Sequence, residues 1–492
     1  MKIGFLCDSH VGGGAKSPQY AYLCKAIEQM KKDGIDTVVC LGDITAFGEN
    51  SVFDKCLSLF SDFDNAFVLL GNADVRKKED KEFILSKAKE VFFSEGNKNF
   101  LGLHVIAGRI KEEDFKKIEN LCSGDVLMMH YGVHSLIIEH RERLENILKG
   151  KKLNVIHAHS HKRFDYYIGG SRVFGLRALD PDKSIGDYPC ITYFDTETEE
   201  YTEIVFAENK KILEEIASYF GISCADNKRE LQCAIDNKIG AVELRMSTIK
   251  EDEDEIGSLI NEWRDKTQGY LSAHMPNIKY DGEEIVGMED WHIAIERSLK
   301  YRVDGLTVHP PRIKKSVLYS NNDLLEQLVD LYATSFARFE LGVKIGIENV
   351  HKTKAETEAG LTNEELGFGY TPDDVLFFVN KINEKLGINR VGVVLDVGHT
   401  KNNGSLSSIY TVGRWYEMVG DKTVAYHIHQ VLSTDNGMKN HNAIENWFGP
   451  LISYSSFFYS WDKGIINKAP IFLEVRGRDN YLRSLKAFNE LL

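Results

Sequence analysis

Met1-Lys2-Ile3-Gly4-Phe5-Leu6-Cys7-Asp8-Ser9-His10 opens the chain. Ile3–Cys7 is an apolar run of strand length, and a carboxylate and an imidazole two positions apart follow it. Alternate residues of an extended segment project to the same side, so Asp8 and His10 are expected to grip one cation together. The run leads straight into the motif, which leaves no room for a signal peptide. Working outward, the same pattern of an apolar run ending in ligand-type residues recurs. In the first half it gives Gly42-Asp43, Gly71-Asn72, His130 and His159-Ser160-His161; in the second it gives His274, His309, Glu348, Asp396 with His399, His427 and Glu474. The expectation is an enzyme with two metal centres, one in each half.

The runs themselves predict an α/β fold. In the first half Ile3–Cys7, Thr37–Leu41, Ala66–Leu70, Val126–Met129 and Asn154–Ile156 read as buried strands, and 20–33, 51–62, 79–92 and 139–149 as helices. Phe174–Leu176 and Ile191–Asp195 read as closing strands of a second sheet, so a first domain spans 1–205. A polar helical connector, 206–217, follows. Over 218–492 eight short apolar runs each precede a helix-like stretch: Gly221–Cys224, Ala241–Arg245, Tyr270–His274, Gly305–His309, Lys344–Glu348, Val391–Asp396, Val424–His427 and Ile471–Glu474. That is the count and size of a (β/α)8 TIM barrel, whose chemistry sits at the carboxyl ends of its strands.

Composition sets the outer bounds. At 492 residues the chain is too long for one ordinary core. The net charge is −14, divided as −5 over 1–205 and −9 beyond, so neither half has the basic footprint of a tight nucleic-acid binder. Eight cysteines show no C-x-x-C pairing and read as reduced core thiols of a cytoplasmic protein. No apolar run approaches the roughly 20 residues of a membrane span. Phe457, Phe458, Tyr459 and Trp461 form an aromatic cluster that either marks an interface, as in a homo-oligomer, or packs the barrel helices.

The N-terminal ligands mix imidazole, carboxylate and amide donors, which suits Mn, Fe or Zn better than Ca or Mg. Their blocks occur in the order DSH, GD, GNAD, MMHYG and AHSH over residues 1 to about 205. In this the chain resembles the calcineurin-like metallophosphoesterases, an αββα sandwich holding two divalent ions. The resemblance implies one ion held by Asp8, His10, Asp43 and His161, and a second held by Asp43, Asn72, His130 and His159. It assigns catalysis to Asp43, Asn72 and His130. Many members carry His after the Asn, able to protonate the leaving oxygen; here Ala73 stands there. Loss of a general acid forfeits about 10²–10⁴-fold, and the resemblance therefore leans toward phosphodiesters or activated monoesters. His104, His134 and His157 are alternative donors or structural residues, and Lys162 and Arg163 either grip phosphate or lie on a solvated turn.

The second half carries AHMP, VHPP, IENV, LDVGH, HIHQ, NHNAIENWFG and LEVRG, and resembles the xylose isomerase-like barrels, which include sugar-phosphate isomerases and endonuclease IV. The resemblance implies a cation held by Glu348, Asp396, His427 and Glu474, and a second, sharing Glu348, held by His274 and His309. Zn or Mn would fill these sites, with Glu348 and Glu474 catalytic and His399 also facing the mouth. His427 is favoured over His429 as the ligand, and Glu243 reads as a supporting residue or a barrel-floor ion pair. A third ion, with His441, is disfavoured because Lys439 replaces the Asp of the family's D-x-H element. Asn277 replaces a tyrosine common in the nucleases. Arg312, Lys314, Lys315, Arg476 and Arg478 offer an anion-binding rim, with Arg312, Lys314 and Arg476 as substrate residues, and Glu251–Glu255 reads as a solvated helix start. The function these features imply is a bifunctional metal-dependent phosphoesterase acting on small phosphorylated substrates. A nucleic-acid nuclease with both domains cutting phosphodiesters, a barrel with isomerase chemistry, and a barrel that only binds remain alternatives.

Overall fold

A computed structural model describes residues 1–14, 16–248, 253–361, 365–435, 437–477 and 479–492. Two compact units emerge. The first comprises Met1–Glu208 together with Trp447–Tyr459, a segment the sequence reading assigns to the 218–492 domain; the second comprises Asn209–Asn446 and Ser460–Leu492.

The strands of the first unit are β1 (Lys2–Leu6), β2 (Thr37–Cys40), β3 (Asn65–Val68), β4 (Val91–Glu95), β5 (Lys98–Leu103), β6 (Val126–Met129), β7 (Asn154–His157), β8 (Phe164–Ile168), β9 (Ser171–Gly175), β10 (Cys190–Asp195) and β11 (Tyr201–Val205). They form two sheets, ordered β11-β10-β1-β2-β3 and β4-β5-β6-β7-β9-β8. Ile3, Phe5, Val39, Leu41 and Leu69 of the first sheet pack on Phe100, Val126, Met128, Ile156 and Phe174 of the second. Helices α1 (Pro18–Lys32) and α2 (Asn50–Ser58) cover the outer face of the first sheet through Tyr22, Leu23, Ile27, Met30, Phe53 and Cys56. Past α3 (Lys81–Lys87), helices α4 (Glu112–Asn120) and α5 (Ile138–Lys149) cover the other sheet through Phe115, Ile118, Leu144 and Leu148. The result is the expected four-layer αββα sandwich. In both sheets β1, β2, β3 and β5, β6, β7, β9 are parallel neighbours, so their carboxyl ends gather on one side.

Two local readings need correction. The helix expected over 79–92 stops at Lys87, and Val91–Glu95 is a strand paired with β5, with Glu95 opposite Lys98. The aromatic and β-branched run Val91-Phe92-Phe93 favours a strand, Gly96 supplies the left-handed φ of 63° for the two-residue turn, and Phe93 stacks on Phe67 and Phe100 at 4.4 and 4.8 Å. Phe174 and Ile191–Asp195 also lie in different sheets: β9 beside β7, and β10 antiparallel to β1.

In the second unit α6 (Lys210–Ala217), capped by the Asn209 side chain, leads into the barrel. Its strands are β12 (Phe220–Ser223), β13 (Ala241–Arg245) and β14 (Tyr270–His274), then, after the small hairpin of β15 (Lys279–Tyr280) and β16 (Ile285–Val286), β17 (Gly305–Val308), β18 (Lys344–Glu348), β19 (Val391–Asp396) and β20 (Thr423–Ile428). After a second hairpin, β21 (Gln430–Thr434) and β22 (Gly437–Asn442), β23 (Ile471–Leu473) closes a parallel eight-stranded barrel between β20 and β12. The eight barrel strands are the eight runs expected from sequence, with ends shifted by a residue or two. Of the acidic run 251–255, Glu253 to Glu255 begin the helix Glu253–Thr267; positions 251 and 252, and Arg478, lie outside the described residues. Phe457, Phe458 and Trp461 are buried, so these three rings pack inside rather than offering an interface. All eight cysteines are free thiols, five of them buried. Among the described residues no helix is long and apolar enough to cross a membrane.

Candidate metal centres

The loops after β1, β2, β3, β6 and β7 place Asp8 and His10, Asp43, Asn72, His130, and His159 and His161 around one point. Their ligand atoms form two groups, Asp8/His10/His161 and Asp43/His130/His159, each within 4.8 Å. Asp43 lies between them. Its Oδ2 is 3.3 Å from His10 Nε2 and 3.3 Å from His130 Nε2, while its Oδ1 accepts from the Ala73 N–H at 2.7 Å. His161 Nε2 is 3.5 Å from Asp8 Oδ1, and His159 Nδ1 is 3.3 Å from His130 Nε2. Asp8 Oδ1 and Asn72 Oδ1 are buried with no hydrogen-bond partner, an arrangement that costs a protein free energy unless a cation or water fills it. The donor set fits two divalent cations.

The same-side projection of Asp8 and His10 does not come from an extended backbone. Asp8, His10, Asp43, His159 and His161 have φ of 50°, 43°, 51°, 69° and 57°, all left-handed. Side chains here cost roughly 1–3 kcal/mol each and persist where surrounding structure enforces them. The enforcement is visible: Asp8 N–H bonds Gly42 O at 3.0 Å, His10 N–H bonds Asp43 O at 2.9 Å, and Asp180 N–H bonds Asp8 O at 2.9 Å. Asp74, the last residue of GNAD, accepts from Thr45 N, Thr45 Oγ1 and Gly71 N at 2.9, 2.9 and 3.0 Å, clamping the β2 and β3 loops.

Electrostatics couple the group. Burial raises the Asp43 carboxyl, yet His130 and His10 hold it well below the usual range. Burial lowers His130, but Asp43 more than reverses this and pushes it up to about 9. His159 is pushed down to about 4 by burial and by His130. In the metal-free protein His130 thus keeps, through neutral pH, a proton that a cation must displace. Apparent Mn2+ affinity at this centre is expected to climb with pH toward about 9 and to level off above it. Mn2+ titrations at several pH values check this; an affinity flat up to pH 9 would count against His130 as a ligand.

None of the proposed stand-ins for the missing histidine joins the groups. His104 is held by Leu70 N and Lys89 O, and the buried His157 by Ala158 O. His134 reaches Ser160 Oγ at 3.1 Å, between the two ligand histidines but outside both sets. Arg163 pairs with Glu203 at 3.1 Å.

In the barrel the strand ends bring together His274/His309/Glu348 and Glu348/Asp396/His427/Glu474. Glu348 Oε2 lies 3.2 Å from His274 Nε2 and 3.0 Å from His309 Nε2, and Glu348 Oε1 lies 3.2 Å from His427 Nδ1. Glu474 Oε2 is 3.3 Å from the same Nδ1. Glu348 Oε2, Asp396 Oδ2 and Glu474 Oε2 are buried acceptors without hydrogen-bond partners. Three such oxygens facing imidazoles fit a divalent-cation cluster, since buried carboxylates without a counter-ion are costly.

Supporting residues fix the rings. Glu243, anchored by Ser223 Oγ at 2.8 Å and Thr307 Oγ1 at 2.5 Å, lies 2.8 Å from His427 Nε2 and leaves Nδ1 toward Glu348. Asn277, at the position of the absent tyrosine, has its Oδ1 2.6 Å from His309 Nδ1. A third group also closes, against expectation: His399, His429 and His441 offer ligand atoms within 4.8 Å of one another. His429, rather than the absent Asp of D-x-H, completes it, with its Nε2 3.2 Å from Asp396 Oδ1.

Of the rim charges, Arg476 Nη2 is 3.6 Å from Glu474 Oε1, and Arg245 Nη2, which the sequence reading did not single out, is 3.2 Å from the same atom. Lys315 pairs with the buried Asp374 at 2.6 Å and is structural. Arg312 and Lys314 are exposed after His309, and no ion pair among the described residues ties them to the metal-facing carboxylates.

Residues 1–191 match the family model described as calcineurin-like phosphoesterase. The N-terminal unit is therefore a phosphoesterase domain of the metal-dependent hydrolase type. No curated protein matches the chain. Among solved structures, a dimetal phosphatase from Danio rerio is 13% identical, covering 42% of this chain and 99% of its own, with a TM-score of 0.31. A xylose isomerase domain protein from Alicyclobacillus acidocaldarius is 15% identical over 55% of this chain and 96% of its own, with a TM-score of 0.39. Endonuclease IV from Thermus thermophilus is 12% identical over 56% of this chain and 98% of its own, with a TM-score of 0.37.

Proposed function

We propose that the protein is a bifunctional metal-dependent phosphoesterase. The N-terminal centre hydrolyses a phosphodiester or an activated monoester, and the barrel acts on a related phosphate or sugar-phosphate. The observation that carries this reading is the set of buried carboxylate and amide oxygens that accept no hydrogen bond, Asp8 Oδ1 and Asn72 Oδ1 in one unit and Glu348 Oε2, Asp396 Oδ2 and Glu474 Oε2 in the other, the carboxylate oxygens lying beside imidazole nitrogens. Divalent ions such as Mn, Fe or Zn in these sites supply Lewis acidity and lower the pKa of water.

The chain's own residues set the rest. Asp43, held by the Ala73 N–H, stands between the two histidine sets and would belong to both ions. His130, His159 and His161 complete the clamp on the phosphoryl group, and Asn72 offers its amide oxygen. With Ala73 in place of an imidazole, no side chain of either ligand group is free to protonate a departing oxygen, which favours substrates with good leaving groups. In the barrel Glu348 and Glu474 orient the reacting centre, and Arg245 and Arg476, both beside Glu474, would hold an anionic group on the substrate.

A second reading has both domains cutting phosphodiesters in nucleic acid. The His399/His429/His441 group favours it, because it supplies a third ligand set beside the two that share Glu348.

Hydrolysis of an aryl phosphodiester by Mn2+-loaded protein tests these readings, comparing wild type with Asp43→Asn and Glu348→Gln. Loss confined to Asp43→Asn is the expected result and leaves isomerase chemistry open for the barrel. Loss chiefly in Glu348→Gln moves the nuclease reading to first place, with salt-sensitive oligonucleotide binding as its signature. No turnover by the metal-loaded wild type would sink the diesterase assignment.

A further inference from the structure

His10 faces Asp43 with its Nε2, and its other nitrogen is also occupied: Nδ1 lies 3.1 Å from Asp8 O and 3.3 Å from Asp180 Oδ2. Asp180 belongs to no recognised motif. It sits on the segment between β9 and β10, fully buried, and its backbone is tied to the loop after β1 through Leu179 N–H to Cys7 O at 3.0 Å and Asp180 N–H to Asp8 O at 2.9 Å. Its Oδ1 accepts from Gln19 Nε2 at 3.1 Å and from Asp182 N at 2.9 Å. Gln19, in the first turn of α1, also donates to Asp182 Oδ2 at 2.5 Å and accepts from Ser17 Oγ at 2.9 Å. Asp182 Oδ1 in turn accepts from Ser456 Oγ, and Asp182 O accepts from Ser453 N at 3.0 Å. Ser17, Gln19, Asp180, Asp182 and Ser456 are all buried.

Two buried carboxylates two residues apart are costly unless their lone pairs are satisfied. A packed hydrophobic layer would suit stability as well, so a polar path that brings Asp180 Oδ2, buried without a hydrogen bond and with Lys183 Nζ at 3.6 Å, to 3.3 Å from a metal-facing imidazole calls for a role. Histidines that bind metal commonly give their second nitrogen to a carboxylate, which fixes the tautomer and ring angle.

We propose that Asp180 is a positioning residue for His10, and that Ser456 extends the same relay through Asp182 and Gln19. The proposal rests on the reading of His10 as a cation ligand. Its consequence is that residues 447–459, encoded between β22 and β23 of the barrel, help to set the cation affinity of the N-terminal centre. Phe448 and Tyr459 fasten this segment within the first unit: Phe448 O accepts from Gly186 N at 2.9 Å and its ring lies 4.6 Å from Tyr188, while Tyr459 lies 5.3 Å from Tyr22.

The test is calorimetric titration of Mn2+ into the 492-residue chain, where the N-terminal event is the one that disappears in Asp43→Asn. Asp180→Asn is expected to weaken that event about 10- to 100-fold. Ser456→Ala should weaken it roughly threefold to tenfold, and Ser456→Thr, which keeps the hydroxyl, should restore it. In a His10→Ala background neither substitution should have a further effect. An Asp43-dependent event unmoved by Asp180→Asn and Ser456→Ala overturns the relay, as does equal weakening with and without His10. If Asp180→Asn does not fold, Ser456→Ala decides alone. The absence of any Asp43-dependent event overturns the reading of the centre itself, and the relay with it.

Discussion

Glu348→Gln empties the barrel of cations at two places at once. Glu348 is the one residue common to the His274/His309 group and the Asp396/His427/Glu474 group, with Oε2 serving the first and Oε1 facing His427 in the second. The amide keeps the size of the side chain but removes its charge and turns an NH2 group either toward His274 and His309 or toward His427 and His399. Breaking a buried charge pair costs roughly 3–5 kcal/mol, or about 10²–10⁴-fold in affinity. Metal content after gel filtration at fixed free Zn2+ or Mn2+ measures it. The control is Asp396→Asn, which enters only one of these two groups and should cost less metal. Equal metal retention by Glu348→Gln and wild type would refute a shared carboxylate.

Gly71→Ala disables the N-terminal centre without replacing any candidate ligand. A Cβ built on Gly71 falls 2.1 Å from Asp43 Oδ1 and 2.6 Å from Asp43 N, so the β2 loop must move away. Asp43 Oδ2 lies 3.3 Å from both His10 and His130, so its displacement disturbs both ligand groups. Misplacement by about 1 Å is enough to cost on the order of 10²-fold in rate, whereas overpacking costs only about 1–3 kcal/mol in stability. The expected signature is a folded protein with a modestly lowered Tm and a loss of about two orders of magnitude in kcat/KM on an aryl phosphodiester. A lowered Tm with unchanged kcat/KM would mean that Asp43 tolerates the shift and does not join the two sites.

The candidate ligands that close the apolar runs were legible as a cluster because a parallel strand delivers whatever follows it to one edge. Asp8, Asp43, Asn72 and His130 needed only the run and the one or two residues after it, and the eight barrel runs needed only their spacing. What lay hidden depends on partners distant in sequence. Val91 and Phe92 read as the end of a helix because Lys81–Lys87 before them is helical, although Gly96-Asn97 signals the hairpin that the aromatic stack completes. In His427-Ile428-His429 both imidazoles proved to face ligand groups, and alternation along a strand does not say which group each meets. Arg245 and Asp180 have no local signature; each is defined by a carboxylate or imidazole brought in by another strand or loop. Ser456 lies 274 positions from the aspartate it meets.

The five candidate ligands held at left-handed φ put the candidate metal centre of the first unit at odds with the thermal robustness of its own scaffold. Glycine adopts that conformation without the steric penalty that Asp and His carry. A search for heat-resistant variants that ignores turnover would therefore be drawn to these five positions, and each gain there would discard a ligand. In a lineage relieved of the need for catalysis, the same bias would erode the DSH and AHSH blocks first while the sandwich around them survived.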